Sequence, residues 1–138
     1  AGLLHDIGKI FVDRDVLNKK GKLDENEWIQ IHNHTTHGRD ILWNFKVPEY
    51  IIDAAWHHHE RYDGCGYPDG LIRDEIEPMT RIISVADCID AMSRRRSYSK
   101  RMPIQDIVEE LKRVRGVQLD PKYTDAAISW LTRNTYLK

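Results

Sequence analysis

The chain carries seven histidines, and most of them stand beside a carboxylate or beside one another: His5-Asp6, His32, His34 and His37, and the run His57-His58-His59-Glu60. An adjacent imidazole and carboxylate can reach two metal ions, the carboxylate bridging them; alone, the pair is more often a cap or a surface pair than a metal site. Projected at about 100° per residue, His34 falls in the middle of an apolar stripe made by Ile31, Gly38, Ile41 and Phe45. His32 points away from that stripe, and His37 lies at its boundary. A buried imidazole without a partner is costly, so His34 is a metal ligand or a hydrogen-bonded core residue. By the same projection His58 and His59 occupy the two edges of the face formed by Ile51, Ile52 and Ala55, while His57 projects outward. That pair suits ligation; the alternative is a solvated helix end. Asp90 falls inside the apolar face of Ile82, Ile83, Ala86 and Ile89, with Asp87 at its edge, and a buried carboxylate needs a cation or several donors, whether a metal or a salt bridge.

Inward His and Asp residues from four helical segments, without thiolates, are the ligand set expected of iron, manganese or zinc in a bundle core. Two metals held about 3.5–4 Å apart by a bridging carboxylate can share a hydroxide and clamp both oxygens of an in-line phosphoryl displacement. Phosphoester hydrolysis is the chemistry this set suits. Cations near a scissile phosphate are available in Lys9 and in Arg94, Arg95, Arg96, Lys100 and Arg101; the Arg cluster also reads as a solvated helix end complementing the macrodipole.

The elements that must position these groups are helical, because apolar residues recur at intervals of three and four and alternating β-branched runs are absent. An opening helix is expected to end near Gly8, and residues 11–23, with Asn18 and Gly21, read as a loop. A second helix starts at Asp24, which makes a capping box with Glu27, carries the stripe Trp28, Ile31, Gly38, Ile41, Leu42 and Phe45, and ends before Pro48. A third follows Pro48 into the histidine run and breaks at Asp63-Gly64-Cys65-Gly66-Tyr67-Pro68-Asp69-Gly70, a stretch dense in turn formers. A fourth begins near Pro78, a fifth runs from near Pro103 to Gly116, and a last takes Asp120 and Pro121 as its first positions.

Length and composition agree with one domain of 138 residues, 41% hydrophobic and 31% charged. Twenty-one Lys and Arg against 22 Asp and Glu leave a net charge of -1, which disfavours a long nucleic acid as partner but not a small phosphate ligand at a local basic patch. No apolar run approaches the ~20 residues of a membrane helix, and Cys65 and Cys88 form neither a CxxC pattern nor a disulfide framework, so a reducing, cytoplasmic setting is expected. The chain opens without Met on apolar residues leading into His5-Asp6, as though the sequence began inside a helix of a longer protein.

The segments His5-Asp6-Ile7-Gly8-Lys9, His34 with Gly38, and His58-His59-Glu60-Arg61-Tyr62-Asp63-Gly64-Cys65-Gly66-Tyr67-Pro68-Asp69-Gly70-Leu71 together resemble the HD-GYP family, a branch of the HD phosphohydrolases. The similarity continues through Arg81-Ile82-Ile83-Ser84-Val85-Ala86-Asp87, Asp90-Ala91-Met92, Arg96-Ser97-Tyr98 and Leu119-Asp120-Pro121. It implies an all-α, compact helical bundle of the HD-domain phosphohydrolase type, about six helices, and hydrolysis of cyclic di-GMP to pGpG and then GMP, with some relatives acting on the mixed cyclic GMP-AMP. It also implies two or three divalent metal ions, iron or manganese, held by His5, Asp6, His34, His58, His59 and Asp87, with Asp6 bridging and Asp90 and Glu60 supporting the ligands. Lys9 would then lie beside the attacking hydroxide and the phosphate. Arg96, with Lys100, would bind substrate phosphates, and the Gly66-Tyr67-Pro68 loop would shape the pocket and contact GGDEF-domain partners. A homodimer is compatible with the resemblance.

The departures are a helix preceding the HD motif, expected to be lacking from a single domain over 1–138, together with Ser99 at a position often basic and Cys65 where Ser is usual. Two other readings stay open: an HD phosphohydrolase acting on another nucleotide, and a catalytically silent module that binds a cyclic dinucleotide or a GGDEF domain.

Overall fold

A computed structural model describes residues 1–93 and 102–135. Its helices are α1 (Arg14–Leu17), α2 (Glu25–Asn44), α3 (Glu49–His57), α4 (Pro78–Ser93), α5 (Ile104–Val114) and α6 (Pro121–Thr135), with short 3-10 turns at Ile7–Phe11 and Arg73–Glu75. Among the described residues the only extended pairing is two isolated bridges, Asp63 with Ile72 and Arg115 with Leu119. The all-α expectation holds.

Local chemistry explains the boundaries. Asp24 caps α2 by accepting from the Glu27 amide at 3.0 Å, while the Glu27 carboxylate accepts from the Asp24 amide at 2.7 Å, the reciprocal box that satisfies two orphan donors. Pro48 sets the start of α3. Asp120 accepts from the Lys122 amide at 2.7 Å as α6 begins, and its other oxygen takes the Arg81 guanidinium of α4 at 2.7 Å.

Three expectations need correction. The opening segment is a series of turns followed by the 3-10 turn at Ile7–Phe11 rather than an α-helix. With Leu3 96% exposed, it lacks the buried helical stripe that would offset the cost of nucleation. Within the expected loop 11–23 one helical turn, α1, does form, closed by the Asn18 amide donating to the Arg14 carbonyl at 2.7 Å. The stripe on α2 is buried only in its middle, at His34, Thr35, Gly38 and Leu42, while Trp28 and Phe45 near its ends are exposed. A 20-residue helix is about 30 Å long, and the elements packed on it cover its centre.

The interior has two apolar clusters. Leu42, Ile52 and Ala55 join α2 to α3, with Leu4 and Ile7 packed against them. Val85, Ile107, Leu111, Val114, Leu119 and Leu131 join α4, α5 and α6. The α3–α4 contact links the two, and the histidine run at the end of α3 lies at this junction.

Candidate metal centre

Each site residue is delivered by a different local device. Gly8 lies against the backbone of α2, where a Cβ would fall on the carbonyl oxygen of His34 and crowd the Gly38 amide. This close approach, which only Gly permits, brings His5 and Asp6 down onto His34. The end of α3 supplies His58 and His59, and α4 supplies Asp87.

Asp6, His34, His58 and His59 each turn one potential ligand atom into a common space, all within 4.8 Å of one another. His34 Nε2 lies 3.3 Å from His58 Nε2, and Asp6 Oδ1 lies 3.5 Å and 3.6 Å from the same two atoms. The opposite nitrogens are already committed: His34 Nδ1 faces the Ile31 carbonyl, and His58 Nδ1 faces those of Ala54 and Ala55 at 3.1 Å. A carbonyl only accepts, so both rings carry their proton on Nδ1. Two imidazole nitrogens and a carboxylate oxygen therefore converge, and Asp6 Oδ1 is buried without a hydrogen-bond partner. Such a set fits a divalent cation and is costly without one.

Asp6 also faces a second way. Its Oδ2 accepts from Lys9 Nζ at 2.6 Å and lies 3.4 Å from His5 Nε2, and His5 Nε2 is 3.6 Å from Asp87 Oδ1. His5 Nδ1 donates to the Gly2 carbonyl at 2.7 Å. One carboxylate thus joins two neighbouring groups of ligand atoms, the arrangement a bridging ligand requires.

The electrostatics keep these groups in the form that binds a cation. Burial lowers His34 to about 4, reinforced by His58 and Lys9; burial lowers His59 to about 3, reinforced by His58 and His34. Both imidazoles are neutral near pH 7. Burial opposes ionisation of Asp6, but its contacts, the Lys9 ammonium at 2.6 Å among them, more than offset it and hold the carboxyl well below its usual range. The His5 contact lowers Asp87, and that same contact raises His5.

Around this centre the loop after α3 is held by Glu60. Its buried carboxylate accepts from the amides of Asp69, Gly70 and Leu71 at 2.7, 3.0 and 3.1 Å. Expected to support the metal ligands, Glu60 instead organises the loop. Gly66 presses on the His59–Arg61 backbone, where a Cβ would collide. The Tyr67 ring stacks on His59 with centroids 4.9 Å apart and on His32 at 3.9 Å. Gly66 and Tyr67 line a cavity of about 690 Å³ that also reaches His58, His59 and Asp87. Pro68, expected beside them, is exposed and does not line that cavity.

Two further expectations are corrected. Asp90 is exposed rather than inside an apolar face: it shares the side of α4 that buries Ile83 two turns earlier, but the cover over Ile83 does not extend to it. His57 is buried rather than outward: its Nδ1 is 2.8 Å from Asp53 Oδ1 and its Nε2 is 3.0 Å from Asp69 Oδ2. The loop folds back over this flank and supplies Asp69, a tertiary cover that helical projection does not contain. Asp53, four residues before His57, was the available signal, and it also accepts from the Thr80 hydroxyl at 2.5 Å. Arg96 and Lys100, the expected phosphate ligands, lie outside the described residues.

Residues 1–123 match the HD domain family. This chain belongs to the HD-domain family. Its placement in the HD-GYP branch agrees with its relatives among cyclic dinucleotide phosphodiesterases. The HD-domain chain is 42% identical over 122 residues to 3'3'-cGAMP-specific phosphodiesterase 3 of Vibrio cholerae, covering 88% of this chain and 26% of the relative. It is 37% identical over 123 residues to a cyclic di-GMP phosphodiesterase of Pseudomonas aeruginosa, covering 88% and 30%, and 39% identical over 128 residues to one of Thermotoga maritima, covering 91% and 35%. It therefore spans about a quarter to a third of the length of these relatives. A crystal structure of a cyclic GMP-AMP-specific phosphodiesterase of V. cholerae shares the HD fold, with a TM-score of 0.68 and 20% identity, over 96% of this chain and 36% of that one.

Proposed function

We propose that this HD domain hydrolyses the phosphodiester bonds of cyclic di-GMP, giving pGpG and then GMP, with His5, Asp6, His34, His58, His59 and Asp87 holding two or three divalent ions, iron or manganese. The observation that carries this reading is the convergence of Asp6 Oδ1 with the Nε2 atoms of His34 and His58. The relatives carry the choice of substrate, being named for either cyclic di-GMP or 3'3'-cGAMP.

When bound, the ions would activate water and withdraw charge from the phosphate. The residues do the rest. Asp6 divides its oxygens between the two ligand groups, and Lys9, 2.6 Å from Asp6, holds a positive charge beside the position of the scissile phosphate. His34 and His59 stay neutral and available as donors of electron pairs. The loop clasped by Glu60 walls the cavity through Gly66 and Tyr67, and Arg96 and Lys100 are proposed to grip substrate phosphates. The same exposed loop is the proposed contact for GGDEF domains. Among the described residues no helix is long and apolar enough to cross a membrane, and the free thiols of Cys65 and Cys88 support a cytoplasmic setting.

The test is to load anaerobically purified protein with Fe(II) or Mn(II), count the metal, and follow cyclic di-GMP and 3'3'-cGAMP by chromatography beside a His5→Ala/Asp6→Ala variant. pGpG or GMP formed by the parent and not by the variant supports the reading. Two bound metals with no turnover of either substrate would overturn it.

A further inference from the structure

We infer that Trp28 is the stacking platform for a purine base of the bound cyclic dinucleotide. The inference rests on the proposed phosphodiesterase reading for the identity of the ligand, and it concerns a residue outside the HD and GYP motifs. Trp28 was expected in the core as part of the apolar stripe on α2, yet it is 50% exposed. Its indole borders the same cavity of about 690 Å³ that His58, His59 and Asp87 enter from the metal centre. That volume lies within the range of small-molecule sites, and a ligand with a phosphate at the centre and a flat aromatic group at the rim can occupy both ends.

The platform is held in place from the centre outward. The His59 ring stacks on Tyr67, Tyr67 stacks on His32 at an interplanar angle of 15°, and His32 meets Trp28 edge to face with centroids 5.5 Å apart. Trp28 and His32 are one helical turn apart, so α2 carries both on one side. Trp28 ends this series, with half of its surface exposed. Ala91 and Met92 of α4, and Met102, line the cavity as well; thioether side chains pack readily against aromatic rings. A flat base laid on the indole would have these apolar side chains as neighbours. Every base has a π-face, so stacking tolerates guanine and adenine alike, as relatives named for cyclic di-GMP and for 3'3'-cGAMP would require.

The experiment compares GMP with ribose 5-phosphate, which differ by the base, as ligands of the manganese-loaded protein by calorimetry, in the parent chain and in Trp28→Ala and Trp28→Phe. Stacking of one base corresponds to a loss of roughly 5- to 150-fold in affinity when the ring is removed. The expected result is a loss of that size for GMP in Trp28→Ala, little change for ribose 5-phosphate, near-parental binding in Trp28→Phe, and unchanged metal content and melting temperature in all three. Parental GMP affinity in Trp28→Ala overturns the inference, as does equal loss for both ligands, or a parent chain that binds GMP no better than ribose 5-phosphate. Turnover of cyclic di-GMP is measured separately. Base-dependent binding through Trp28 without turnover upholds the platform and removes the phosphodiesterase reading; turnover with no role for Trp28 does the reverse.

Discussion

His34 Nε2 and His58 Nε2 face each other across 3.3 Å, while each ring turns its Nδ1 to a backbone carbonyl of its own helix. Without a cation, this contact and the adjoining Asp6 Oδ1 are unfavourable. Asp6→Asn provides an amide that donates to the two nitrogens while its oxygen still accepts from Lys9. The metal-free variant is expected to be at least as stable as the metal-free parent, by up to roughly 1 kcal/mol, and to lose metal binding. Urea unfolding in chelator with metal analysis checks both; a variant clearly less stable than the metal-free parent counts against the lone-pair arrangement.

Acid and base should both destabilise the metal-free protein. His34 and His59 are lowered to about 4 and about 3, so on unfolding they take up protons below their ordinary 6.5. Stability then falls as pH drops below that value, by up to roughly 1.4 kcal/mol per pH unit for each histidine. His5 and His57 are raised, His5 by Asp87 and His57 by Asp53 and Asp69 against its burial. Their contribution is complete below 6.5 and is lost as pH rises through their raised values. Denaturation curves in chelator should place maximal stability near pH 6.5, and continued gain well above that pH would contradict the assignment.

Gly8→Ala tests how the HD segment is docked. The added methyl meets the backbone of α2 at His34 and Gly38, which cannot yield as a side chain would. Overpacking of this kind costs roughly 1–3 kcal/mol, and the displacement carries Asp6 away from His34. A lower melting temperature together with weakened metal binding is expected. Parental values for both would show that the close approach is not needed.

Glu60→Gln separates the loop from the metal centre. Gln keeps the shape but loses the charge that accepts three amides, at a cost of roughly 1–3 kcal/mol. Hydrogen exchange should quicken at Asp69, Gly70 and Leu71, while the metal count stays at the parental value. Loss of metal with unaltered exchange would return Glu60 to the role of ligand support.

The sequence by itself determined the helical class, the start of α2 at Asp24 and of α6 at Asp120, and the inward position of His34, since caps and helical period are local properties read from neighbouring residues. It also singled out His5, Asp6, His58, His59 and Asp87, because metal-ligand side chains concentrate in a chain otherwise ordinary in composition. What depends on packing between segments was decided by the tertiary structure. The docking of Ile7–Phe11 depends on the close approach of Gly8 to α2. The burial of His57 follows from a loop that brings Asp69 from 12 positions away. The exposure of Trp28 and Asp90, and the commitment of Glu60 to the loop, likewise depend on which neighbours reach each helix face. Helical period says which residues share a side of a helix; only the packed chain decides whether another element, a cation or open space lies opposite.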